Sequence, residues 1–96
     1  MDLQKIWTTQ RKLRRKQQIH ALVRAIKQGQ GLPKVILHCC EDDEVQVGDG
    51  HHRLVAYWLS GRRTLAKHEY LLIFTQQGRP RCGRIRDLAC LVTKRR

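Results

Sequence analysis

The chain has 96 residues, 29% charged and 41% hydrophobic, and its 20 Lys/Arg against 8 Asp/Glu give a net charge of +12. That length predicts one domain, residues 1–96, with a modest core, and the composition excludes a disordered chain. No apolar run approaches the roughly 20 residues of a membrane span, and the start MDLQKIWTTQRKLRRK lacks the apolar stretch of a secretory signal, so a cytoplasmic protein with no membrane partner is expected.

In chain order, DLQKIWT (residues 2–8) reads as a short edge strand or docking segment. RKLRRK follows, with Arg11, Lys12, Arg14, Arg15 and Lys16 as five positive charges in six residues. KQQIHALVRAIKQG is an amphipathic helix, because Ile19, Leu22, Val23 and Ile26 recur at i, i+3, i+4 and i+7. Gly29, Gly31 and Pro33 end it. KVILHCC is β-branched and apolar, EDDE is an acidic turn and VQV a second short strand, so residues 34–47 form a hairpin. GDG then leads into HHRLVAYWLSG, a helix with Leu54, Val55, Trp58 and Leu59 facing inward. KHEYLLIF is a strand with an apolar second half, and QQGRPRCG is a loop. RIRDLACLV closes the chain as a helix with Ile85, Leu88, Ala89 and Val92 on one face. A basic tail occupies residues 93–96. The elements add up to an α+β domain, a small mixed sheet with packed helices.

The charge is clustered. Residues 1–30 carry eight Lys/Arg against one Asp, residues 61–96 ten against two acids, and the middle third two against five. Basic flanks of this kind are the electrostatic footprint of a polyanion partner, with nucleic acid the first candidate. The expected backbone contacts are Arg11, Lys12, Arg14, Arg15, Lys16, Arg62, Arg63, Arg79, Arg81, Arg84 and Arg86. The four cysteines, Cys39, Cys40, Cys82 and Cys90, form no CxxC, and adjacent Cys39 and Cys40 point to opposite sides of a strand. They are expected to be buried structural thiols. EDDE reads as a solvated turn and His20 as a surface residue.

The sharpest local signal is GDGHHR, a strand, a Gly-rich turn and a helix start. A helix N-terminus presents unpaired N–H groups and a partial positive charge. Gly48 and Gly50 let the backbone turn and approach a ligand. His51, His52 and Arg53 are cations where the helix dipole would prefer acids, and a local conflict of this kind marks a functional position. The turn is expected to bind phosphate through Gly48, Gly50, His51, His52 and Arg53. A simple tight turn with Asp49 as the helix cap is the plainer alternative.

Residues 17–73 resemble the ParB/sulfiredoxin family. IHALVRAIKQGQGLPKVILH, VQVGDGHHRLVAYWLSGRRTL and KHEYLLI follow its layout of helix, Leu–Pro step, strand, hairpin, phosphate turn, helix and strand. The resemblance implies a nucleotide-binding core acting near nucleic acid, DNA ahead of RNA, with an acidic protein partner left open. In that family the turn contacts the phosphates of a nucleotide such as ATP or CTP. Gly50 matches the family's glycine, His52 the sulfiredoxin histidine, Arg53 the last arginine and Ala56 the alanine of helix packing. His51 replaces the sulfiredoxin cysteine, so sulfinic-acid reduction is not expected. The helix-turn-helix and dimerisation domains of a partition ParB have no counterpart in 96 residues. The resemblance leaves three functions: a phosphate- or nucleotide-binding module near DNA, a ParB-like nuclease or NTPase, and a non-catalytic interaction protein of a mobile element. For the enzyme, His51 or His52 would move the proton, and Asp49 or Glu69 would help hold Mg²⁺. The oligomeric state stays open, with two Trp and an apolar strand available to an interface.

Overall fold

The computed structural model describes residues 1–93. The basic tail lies outside them except for Thr93, which ends the last helix. Five strands form one mixed sheet: β1 (Ile6–Thr8), β2 (Val35–Cys39), β3 (Val45–Asp49), β4 (Tyr70–Phe74) and β5 (Gly83–Arg84). Their spatial order is β4-β2-β3-β1-β5. Three helices accompany them: α1 (Lys16–Lys27), α2 (His51–Leu59) and α3 (Ile85–Thr93). The expected α+β architecture, a small mixed sheet with packed helices, is present. Among the described residues no helix is long and apolar enough to cross a membrane.

The hairpin forms as its composition predicts. β2 and β3 pair antiparallel, with Leu37 opposite Val47 and Cys39 opposite Val45. Alternation sorts β2, so that Val35, Leu37 and Cys39 are buried while Ile36 and His38 are half-exposed on the other face. α1 lies against α2, and α2 against α3. Leu3, Ile6, Ile19, Leu37, Leu54 and Ile85 are fully buried in one cluster, each stabilising the fold by about 1.5–3 kcal/mol. Gly29, at φ 77°, provides the left-handed step that ends α1.

Four expectations change. Residues 2–8 are not an edge: a 3-10 turn over Leu3–Lys5 feeds β1, which lies inside the sheet between β3 (parallel) and β5 (antiparallel). The loop 76–83 gives its last residue to β5, a two-residue strand too short to leave a periodic signal. The inward face of α2 also differs. Leu54 and Val55 are buried, but the buried run continues through Ala56 and Tyr57, while Trp58 and Leu59 are only half-buried. α2 is covered by helices on both flanks, so a wider arc of its surface is buried and the arc is rotated toward its first turns. Trp58 instead carries the Arg63 guanidinium 3.7 Å above its ring. Of the four thiols, Cys39 and Cys40 are buried, whereas Cys82 is half-exposed and Cys90 exposed.

Candidate functional site

The turn is built by close packing. Gly48 is still in β3, where a Cβ would stand 2.8 Å from the His38 ring. Its glycine is required by that ring on the outer sheet face rather than by a turn. Gly50 is the true turn residue and the N-cap of α2, with φ 120° and ψ 29°. A Cβ there would also lie 2.9 Å from Val35 Cγ1.

No side chain caps α2, so Asp49 is not the cap. The first intrahelical bond runs from Leu54 N to Gly50 O at 3.0 Å. The N–H groups of His51, His52 and Arg53 precede it and have no partner among the described residues, as the geometry of a helix start dictates. Beside them opens a cavity of about 320 Å³ lined by Gln10, Gln18, Leu22, Pro33 and residues 48–53. That volume lies at the small end of ligand pockets, suited to a phosphate group or short polyphosphate rather than to enclosing a base.

The two histidines do different work from the expected phosphate grip. His51 is 4% exposed, and its Nε2 accepts from Thr9 N at 3.0 Å. The neutral ring therefore carries its proton on Nδ1. Burial, with His52 and Arg79 adding like charge, lowers its pKa to about 4. His51 is thus a neutral internal anchor at pH 7, not a phosphate donor. His52 Nε2 accepts from Arg15 N at 3.2 Å, and burial followed by the Arg15 charge lowers its pKa too. It remains half-exposed on the cavity wall. Together the two rings pin residues 9–15 across the mouth of the turn. Thr9, Gln10 and Gln18 therefore belong to the site, although nothing in their residue types marks them.

Arg53 is also redirected. Its Nη1 donates to Pro33 O at 3.0 Å and Lys34 O at 2.9 Å, and its Nη2 to Asp49 Oδ2 at 3.3 Å. The fork straps α2 to the entry of β2, leaving Nε and one Nη2 hydrogen for a ligand. Arg53→Met is expected to lower stability by about 2 kcal/mol, because charged donors to two carbonyls are lost. Arg53→Lys should fare no better, since an ammonium cannot reproduce the fork. Urea midpoints check both, and a wild-type midpoint in Arg53→Lys would refute the strap.

The basic residues divide. Arg11, Lys12, Arg14, Arg15 and Lys16 are exposed and border the turn through the Thr9 and Arg15 anchors. Arg79 is exposed, close enough to act on His51, and its backbone is held by the Gln46 amide. Arg86 is exposed. The others are engaged. Arg81 Nη2 donates to both carboxylate oxygens of Asp42, at 2.9 and 2.7 Å. Arg62 pairs with Glu69, which Arg62 and the Ala66 N–H hold below the usual carboxylate pKa against the opposing effect of burial. Arg84 stacks on Trp7 at 3.5 Å, and Arg63 on Trp58. Glu69 is committed to Arg62, and Asp49 is the one carboxylate on the cavity wall. Among the described residues no three His, Cys, Asp or Glu side chains form a group able to hold a metal ion. No protein-family model matches the chain, and no curated protein or solved structure matches it either.

Proposed function

We propose that this protein is a phosphate-binding module of ParB/sulfiredoxin-like type that works on nucleotides or on a nucleic-acid backbone, with DNA the first partner. The observation that carries this reading is the cavity at the start of α2. Three unpartnered N–H groups meet there, and the exposed Arg and Lys of residues 11–16 continue the chain from Gln10 on the cavity wall to the Arg15 N–H held by His52. A phosphate accepts from the N–H groups and gains from the helix dipole, while the adjacent cations attract the rest of a polyanion. His52 and the Gln10 and Gln18 amides supply further polar contacts. If a nucleoside triphosphate, ATP or CTP, brought Mg²⁺, Asp49 and the phosphate oxygens would hold the ion.

Calorimetric titration with pyrophosphate and with ATP tests the reading. His52→Glu and Gln18→Glu put a negative charge at the mouth. A Glu in the first turn of α2 suits the helix dipole, so the fold should hold while binding weakens at least about tenfold. Equal affinities in wild type and both variants would sink the phosphate assignment. For duplex DNA, replacing Arg11, Arg14 and Arg15 by Ser should flatten the dependence of log K on log salt by about three units.

A second reading, a nuclease or NTPase, is favoured by one observation: His52 is half-exposed on the cavity wall and neutral at pH 7, so its Nε2 would take a proton once it gave up the Arg15 N–H. Mg²⁺-dependent plasmid nicking that disappears in His52→Ala would support it.

A further inference from the structure

β4 is an edge strand without the usual protection. Its inner side pairs with β2 in parallel, Val35 with Tyr70 through Cys39 with Phe74, and it ends the sheet order. Natural edges are blunted by Lys, Pro, a bulge or a covering loop. Residues 70–78, YLLIFTQQG, contain none of those residue types and form the longest stretch of the chain free of charged residues. Leu71, Leu72, Ile73 and Phe74 are 48, 40, 45 and 80% exposed, Leu71 and Ile73 on one face of the edge and Leu72 and Phe74 on the other, in all on the order of 400 Å² of apolar surface.

The backbone fixes which groups face outward. Thr75 N donates to Cys39 O at 3.0 Å, so residue 75 turns its N–H toward β2. By alternation residues 71 and 73 do the same, and Tyr70, Leu72 and Phe74 direct theirs to the free edge. The side chains are self-complementary about Leu72. An antiparallel second copy would place Leu72 opposite Leu72, Tyr70 opposite Phe74 and Leu71 opposite Ile73, matching aromatic to aromatic and aliphatic to aliphatic. The outward N–H and C=O groups of 70, 72 and 74 then meet their own counterparts as hydrogen-bonded pairs. Beyond the strand, Lys67 and His68 of the second copy would run beside Gln77 and Gln76. Gln76 lines a cavity that Glu41 and Asp42 share with Arg79 and Arg81, so the ends of the pair meet a mixed-charge surface and the apolar register carries the fit.

We infer that a second copy of this chain adds to β4, giving a two-fold antiparallel pair and a continuous ten-stranded sheet. Two such surfaces come to about 800 Å², below the range of standard stable interfaces, so the dimer is weak and concentration-dependent.

Sedimentation equilibrium from micromolar to submillimolar protein tests it. Wild type should dimerise. Leu72→Lys and Leu72→Glu each set like charges opposite one another across the two-fold and should weaken the dimer at least about tenfold. An equimolar mixture of the two variants should recover the dimer. The register gives a second readout: Leu71→Lys mixed with Ile73→Glu should associate, whereas Leu71→Lys mixed with Leu71→Glu should not. A wild type that stays monomeric, as it would if another protein's strand were the occupant, overturns the inference. So does a Leu72 mixture that fails to associate.

Discussion

Gly50→Ala is expected to lower stability by about 3 kcal/mol, far more than most Gly→Ala changes. Two separate causes combine. At φ 120° and ψ 29° an L-residue is strained by about 1–3 kcal/mol. The new Cβ also meets Val35 Cγ1 at 2.9 Å, and Val35 is fully buried beneath α2, so it cannot swing aside. Gly61 is the control. Its φ is 98°, but a Cβ there meets nothing within 4 Å, so Gly61→Ala carries the strain alone. Urea denaturation of both variants isolates the contact. Equal losses in the two would show that Val35 relaxes at little cost and that the turn is held by backbone conformation only.

Acid should destabilise the protein well above the pH at which its carboxylates titrate. His51 titrates near 4 in the folded chain, against an ordinary value of 6.5. Between those values the unfolded chain binds the proton more readily than the native one, so stability rises with pH across the window. The contribution is complete above about 6.5 and falls as pH drops toward 4, a loss of roughly 3 kcal/mol. Protonation would also turn the Nε2 acceptor of the Thr9 N–H into a donor, breaking the anchor of residues 9–15. His51→Gln keeps a neutral acceptor at every pH. Thermal melts from pH 4 to 7 should show a steep rise in wild type and a flatter one in His51→Gln. Parallel curves would mean that the ring stays protonated, or solvated, in the native state.

The parts of the fold visible in the sequence are those with local causes. The four apolar positions of α1, the alternation around the acidic turn and the face shared by Ile85, Leu88 and Ala89 each report an element directly. Position within the sheet has no local cause. IWT reads the same at an edge or at the centre, and only pairing with residues 45–46 and 83–84 makes β1 internal. β5 is too short to show any period. At the site, Gly50 and the helix start were readable because backbone geometry demands them, whereas Gly48 makes room for the His38 ring, which no local pattern reveals. The roles of His51, His52 and Arg53 were not. A neutral imidazole both donates and accepts, so its residue type does not reveal that both rings receive backbone N–H groups. A guanidinium fork fits two carbonyls as well as a phosphate, and Pro33 and Lys34 offer two in the right place.

The internal position of β1 also orders events in time. The β2–β3 hairpin closes over the five residues of its turn, and α1 and α2 meet across that hairpin, so these parts can assemble from nearby sequence. β1 instead waits for partners some forty residues away in β3 and more than seventy away in β5, and closing such long loops slows folding. On a ribosome, the first strand made is among the last to find its place. Until β5 emerges, β1 is itself an open edge of the sheet, and folding yield should depend on how quickly the final quarter of the chain follows.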